Sequence, residues 1–229
     1  MRVSDWSGMS SRFSTVAALE AFLTERLAQP LPGATAQRRF APLPPRKGWQ
    51  PDLVPEGERH AAALILIYPG PDGPSIALTV RHHDLPHHPG QVSLPGGGLD
   101  PGETHHDTAL REAEEEIGVS PANVRVIGQL SSLWVIVSGF VVFPFVGIAD
   151  ARPDFRPEAR EVAELLEVPV AHVLDRRRLG WERVTRDHLV VRYAYFDLGG
   201  HKVWGATGMI LSEFAALFEP DFTPGPPPA

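Results

Sequence analysis

The sequence contains no cysteine. That excludes thiolate zinc sites, iron–sulfur clusters, thiol nucleophiles and a disulfide framework. It also lacks a basic excess: Lys plus Arg is 21 against 28 for Asp plus Glu, a formal charge of −7. General nucleic-acid binders carry the opposite balance, so no nucleic-acid partner is expected. Long apolar runs are missing as well. The longest, from Ala61 to Tyr68, has the length of a strand and falls far short of the ~18 residues that span a bilayer. No membrane partner is expected. The first residues show no basic run leading into an apolar core, and Asp5 comes early, so a cytoplasmic location is the expectation. What the 229 residues do hold is 43% hydrophobic residues, enough for a sizeable core, and 21 Gly with 24 Pro, a surplus of turn formers.

The apolar spacing of Val16, Leu19, Phe22, Leu23 and Leu27 predicts a helix over 15–28. Residues 30–58 are rich in Pro, Gly and Arg without a period and predict an extended arm lying on the domain or partly mobile. The whole segment 1–58 reads as packing or dimerisation, with a catalytic-sized domain over 59–220 and a Pro-rich tail over 221–229. Within the domain, strands are predicted at 61–68, 75–81, 123–130, 139–148 and 189–198. An acidic loop and helical stretch is predicted at 150–167, and a last helix at 206–219. Strands and helices do not alternate regularly, which favours a mixed sheet over a doubly wound one.

The helix from about Thr104 to Ile117 carries the chemistry. Thr104 and Asp107 form a capping box, and Gly118 stands where a C-terminal cap belongs. At ~100° per residue, Glu115 and Glu116 lie about 60° and 40° to either side of Glu112. Leu110, Ala113 and Ile117 form an adjacent apolar stripe. Three carboxylates on one edge repel one another. Arg111 is the one nearby cation, and it lies to one side. A hard divalent cation takes such oxygens and keeps positions for water and phosphate.

Upstream context decides between a metal site and a solvated acidic face. In LPGGGLDPGETHHDTALREAEEEIGV (94–119), Gly97 is followed by five residues and Glu103, then seven residues and Arg111-Glu112, then Glu115-Glu116 and Gly118. This resembles the Nudix box, with Ala113 where a larger aliphatic is usual. The resemblance implies an α/β fold, an α/β/α sandwich around a mixed β-sheet. It also implies hydrolysis of a nucleoside diphosphate linked to another group, with Mg²⁺ or Mn²⁺ as cofactor. Glu112, Glu115 and Glu116 would be metal ligands, with Glu115 and Arg111 in catalytic roles. Glu103 and Gly118 complete the box. Gly96 and Gly97 would let the backbone approach the phosphates.

The preceding segment LTVRHHDLPHHPGQVSLPGG (78–97) is similar to the motif of the coenzyme A pyrophosphatase branch of that family. It matches at Leu78, Thr79, Arg81, Leu85, His88, Gly90, Val92, Pro95, Gly96 and Gly97, and departs at His82, Pro86 and Leu94. Residues 138–147, 161–170 and 203–211 resemble the branch more weakly. The implied substrate is coenzyme A or an acyl derivative, whose 3′-phosphate Arg81 and His88 could meet. Glu161 is the candidate general base or extra metal ligand. A homodimer is a family expectation. Rival readings are another diphosphate such as ADP-ribose, or a silent nucleotide-binding module. The histidines at 82, 83, 87, 88, 105 and 106 raise a zinc or nickel site, though adjacent pairs diverge. His105 and His106 are expected to be exposed. Trp134, Phe140, Phe143, Phe145, Trp181 and Trp204 read as core, with Phe140 or Trp204 alternatively stacking adenine or lining the pantetheine groove. DRRR at 175–178 reads as a solvated loop.

Overall fold

The computed structural model describes residues 13–49, 53–84, 89–186 and 189–227. An N-terminal helix α1 (Val16–Leu27) is capped by the Thr15 hydroxyl, which accepts from the Ala18 amide. A short α2 (Gly33–Gln37) and a 3-10 turn (Arg38–Phe40) follow. The segment expected to be an extended arm is therefore partly helical. The reason is packing, since Ala36, Gln37, Phe40 and Ala41 are buried against the domain.

The domain is built on an eight-stranded mixed sheet. Its central strand β1 (Arg59–Gly70) runs antiparallel to β2 (Gly73–Arg81) and parallel to a later strand, Phe140–Ile148. Two short strands, β3 (Val92–Ser93) and β4 (Gly96–Gly98), lie before helix α3 (His105–Ile117). β3 pairs with β2, and β4 with the first half of β1. Then come β5 (Arg125–Gln129) and β6 (Leu133–Val135), both antiparallel to β7, the Phe140–Ile148 strand.

The next strand, β8 (Val162–Pro169), corrects the helical reading of 150–167. Residues 152–158 run without regular structure, as Pro153 and Pro157 require. From Leu165 onward burial alternates, with Leu166 and Val168 inside and Glu167 outside. That is a period of two, and it belongs to a strand. A short α4 (Val170–Val173) leads to a second, three-stranded antiparallel sheet of β9 (Leu179–Arg186), β10 (Leu189–Leu198) and β11 (His201–Val203). Helix α5 (Gly205–Ala216) closes the fold.

From Ala61 to Tyr68 β1 is apolar because it is covered on both faces. Ala62, Leu64, Leu66 and Tyr68 face α3, meeting Leu110, Ala113 and Ile117. Ala63, Ile65 and Ile67 face the other way, into a core shared with α1 and α5. At ~1.5–3 kcal/mol per buried aliphatic side chain, these two faces hold the central strand in place. Of the aromatics expected in the core, Phe145 is fully buried, while Trp134, Phe140, Phe143, Trp181 and Trp204 are half-buried. The DRRR turn is partly solvated, with Arg177 exposed, but two of its arginines are paired. Arg177 pairs with Asp175 at 2.8 Å and Arg176 with Glu219 at 2.7 Å.

Candidate active site

α3 sets the site. The Thr104 hydroxyl accepts from the Asp107 amide, the Asp107 carboxylate accepts from the Thr104 amide, and Gly118 ends the helix at φ 72°. With α3's apolar stripe on the sheet, Glu112 and Glu116 are carried inward while Glu114 faces solvent. Glu116 is 4% exposed, whereas the Glu115 side chain is 60% exposed, so the three box carboxylates span the boundary between core and solvent.

β4 supplies the floor. The Gly96 amide donates to Glu116 at 3.4 Å. A Cβ at Gly97 would stand 2.5 Å from the Glu112 carboxyl carbon and both its oxygens. The glycine leaves the room that this carboxylate occupies.

Arg111 is the hub, not a bystander. Its Nη1 donates to Glu112 and Glu115, each at 2.9 Å, its Nε to Glu103 at 2.7 Å, and its Nη2 to the Gly98 carbonyl at 3.0 Å. The repulsion expected along the helix edge is thus relieved by a fanned guanidinium. Glu103 also accepts from the Thr108 hydroxyl at 2.8 Å. Hydrogen bonds from Arg111 and then Thr108 hold its carboxyl down to about 2.

The two inner carboxylates shift the other way from Glu103, both upward. Burial, then the charge of Glu112, pushes Glu116 up to about 8, against the Gly96 amide and the charge of Arg81. Burial also raises Glu112, with Arg111 opposing and Glu115 and Glu161 adding to the rise. Two desolvated carboxylates side by side call for positive charge, and Arg111 does not reach Glu116. Hard oxygen donors at Glu112, Glu115 and Glu116 suit a divalent cation of the magnesium type. Among the described residues, no three His, Asp or Glu side chains stand in a ready-made ligand geometry.

Arg81 ends β2 beside Glu116, and its Nε is buried without a hydrogen-bond partner among the described residues. Glu161 is exposed on the loop before β8, near enough to Glu112 and Glu116 for its charge to act on both. That loop is tied to the site through its backbone. The His82 amide donates to the Glu161 carbonyl at 2.8 Å, and the Glu158 amide to the Glu116 carbonyl at 2.9 Å. His88 lies outside the described residues.

Among the described residues, His82, His83, His105 and His106 do not gather into one ligand set. His105 is half-buried, not exposed. It stacks on Phe143 with ring centroids 3.7 Å apart and meets His60 Nδ1 through Nε2 at 2.9 Å. Burial, then His60, lowers its pKa. His106 turns instead to Asp107 and Phe145.

Beside Glu112 opens a cleft of about 580 Å³ lined by Arg59, His60, Gly98, Asp100 and Phe140. Motif spacing did not mark Arg59 or His60. They sit at the start of the central strand, where only their paired strands bring them to the site.

A family model described as NUDIX domain matches residues 58–188. The chain belongs to the Nudix hydrolase family. It is 41% identical over 170 residues to a protein of Pectobacterium atrosepticum described as Uncharacterized Nudix hydrolase NudL, covering 72% of this chain and 86% of that one. A like-named protein of Yersinia enterocolitica is 37% identical over 72% of this chain and 85% of its own. Among solved structures, the MutT protein from Methanosarcina mazei Go1 aligns at 16% identity with a TM-score of 0.47, over 73% of this chain and 100% of that one.

Proposed function

We propose that the protein is a coenzyme A diphosphatase. It would cleave the diphosphate of coenzyme A or its acyl derivatives into adenosine 3′,5′-bisphosphate and 4′-phosphopantetheine or the acylated form. The observation that carries the reading is Arg81. The branch-like segment 78–97 delivers this arginine to the edge of the box, with its Nε unspent beside Glu116.

Glu112, Glu115 and Glu116 would hold Mg²⁺ or Mn²⁺, which would neutralise the diphosphate charge and make a bound water more acidic. Arg111 fixes the Glu112 and Glu115 carboxylates, so they need no reorganisation when charge develops. Gly96 and Gly97 keep the floor open to phosphate oxygens. Glu161 takes the proton of the attacking water, from its loop across Glu112 and Glu116.

Mg²⁺-dependent turnover of coenzyme A, acyl-coenzyme A, ADP-ribose and a dinucleoside polyphosphate, followed by chromatography of products, tests this. The expected result is kcat/KM highest for a coenzyme A species. Turnover of ADP-ribose equal to or above that of coenzyme A sinks the reading. Glu115→Gln is expected to lose at least ~100-fold in kcat with an unchanged circular dichroism spectrum. Full activity in that variant removes Glu115 from the metal set, and an inactive wild-type protein that still binds the nucleotide favours a silent module.

A further inference from the structure

The cleft beside Glu112 contains a guanidinium with no carboxylate to hold it. Arg111 is spent on Glu103, Glu112 and Glu115, whereas Arg59 makes no ion pair among the described residues. Its Nη2 donates to the Ser138 carbonyl at 2.6 Å, and its Cζ lies 4.1 Å from the centre of the Phe140 ring. The backbone locks the pair, because Arg59 and Phe140 face each other across the parallel β1–β7 pairing and the Arg59 amide donates to the Gly139 carbonyl. A guanidinium laid on a ring and pinned at one nitrogen keeps its remaining N–H groups in plane, the arrangement that meets two oxygens of a phosphate. Glu58, Asp100 and Glu112 line the same cleft, so among its carboxylates Arg59 is the one guanidinium of the described residues and the one place an anion could be held.

The other cleft near this hairpin differs in kind. It lies by Val135, directly across from Phe140, and is lined mostly by apolar groups such as Trp49, Trp134, Trp204 and Met209, with Arg46 as its one charged side chain among the described residues. Its wall suits an uncharged chain. The two ends of a coenzyme A diphosphate differ in the same way. One is a nucleoside bearing a phosphomonoester of about −1.5 to −2 charges, the other a flexible neutral amide chain.

The geometry points to Arg59, held on Phe140, as the group that binds the phosphomonoester at the nucleoside end of the substrate. This rests on the coenzyme A reading and adds to Arg81 a second arginine with a separate task. Arg81 attends the diphosphate at Glu116, and Arg59 reads the phosphate that dephospho-coenzyme A lacks. Phe140 is a positioning residue for the guanidinium.

The test is steady-state hydrolysis of coenzyme A and dephospho-coenzyme A by the wild-type protein, Arg59→Ala and Arg59→Lys under saturating Mg²⁺. One charge-assisted contact corresponds to roughly 10- to 100-fold. In Arg59→Ala, kcat/KM for coenzyme A is expected to fall by about that factor, mostly through KM. The fall for dephospho-coenzyme A is expected to be at least ~10-fold smaller. Arg59→Lys restores part of the preference, since it returns charge without the planar fork. Equal losses on both substrates would mean that Arg59 only braces the 138–140 turn, and no loss on either would free it of any role. Both outcomes overturn the proposal. A wild-type protein that hydrolyses ADP-ribose but neither coenzyme A species removes the coenzyme A reading itself, and the subsite falls with it.

Discussion

At the scale of single residues, the sharpest constraint is the space left by an absent Cβ. Gly97→Ala would put a methyl 2.5 Å from the carboxyl group of Glu112. The flexible partner gives way, so the carboxylate swings off β4 and loses its bond from Arg111. We expect kcat to drop by at least ~100-fold, the size found when one preorganised electrostatic contact is lost. Stability should fall by only ~1–3 kcal/mol, the usual cost of overpacking. Enzyme kinetics beside thermal unfolding separates the two, and a variant of near-normal activity would show that Glu112 does not need its position. The box spacing made Gly97 legible in the sequence. Arg59 and His60 were not, because neither their identity nor their spacing carries a signal. Only pairing of β1 with β4 and β7 brings them beside Glu112.

At the scale of the element, α3 is held at both ends by local chemistry. Gly118 adopts φ 72°, and a Cβ there would also come within 2.8 Å of the Arg156 Cβ. Gly118→Ala should cost about 1–3 kcal/mol through the left-handed backbone and this contact, seen as a lower urea midpoint with unchanged slope. An unshifted midpoint would mean that the helix end relaxes freely. The clamp at the other end is ionic. Glu103 is held down to about 2 by Arg111 and Thr108, below the ~4.3 of a free Glu. A depressed folded-state pKa gives stability that is complete above ~4.3 and is lost as pH falls towards 2. Glu103→Gln should therefore flatten the acid side of the pH–stability curve between those limits and leave its neutral shape alone. An acid limb as steep as that of the wild type would remove Glu103 as its source. The helix and its caps were legible because period and cap residues are local. Strand β8 was not. Glu161, Glu164 and Glu167 gave that stretch a helical composition, while its strand state comes from pairing with β2 and from the hydrogen bonds of Glu167 to Arg152 and Tyr68.

At the scale of the whole molecule, the question is whether the N-terminal segment is an appendage. Leu19, Leu23, Phe40 and Ala41 belong to the same core as Ile65, Val146 and Phe214. One buried carboxylate joins the parts. Glu213 on α5 accepts from the Gly33 amide at 3.0 Å, the Ser131 amide at 3.2 Å and the Gln37 side-chain amide at 2.8 Å. It thereby ties α2, the turn before β6 and α5 at a point where its side chain sees no solvent. Sequence composition could only leave 1–58 as packing or dimerisation, since the partners of Gly33 and Gln37 are some 180 and 176 residues away. Glu213→Ala strands three buried donors, each worth ~1–3 kcal/mol when unpaired, although such costs are not additive. We expect a loss of roughly 2–4 kcal/mol. Because the core is continuous, the loss should lower one cooperative transition instead of releasing the N-terminal segment first. Urea unfolding followed at once by tryptophan fluorescence and by hydrogen exchange of the α1 amides decides this. Coincident transitions make residues 13–49 part of the catalytic domain's fold. Early exchange of α1 with an unmoved main transition would make them an attached arm, and would also leave Trp49 free to depart from the apolar cleft it shares with Trp134 and Trp204.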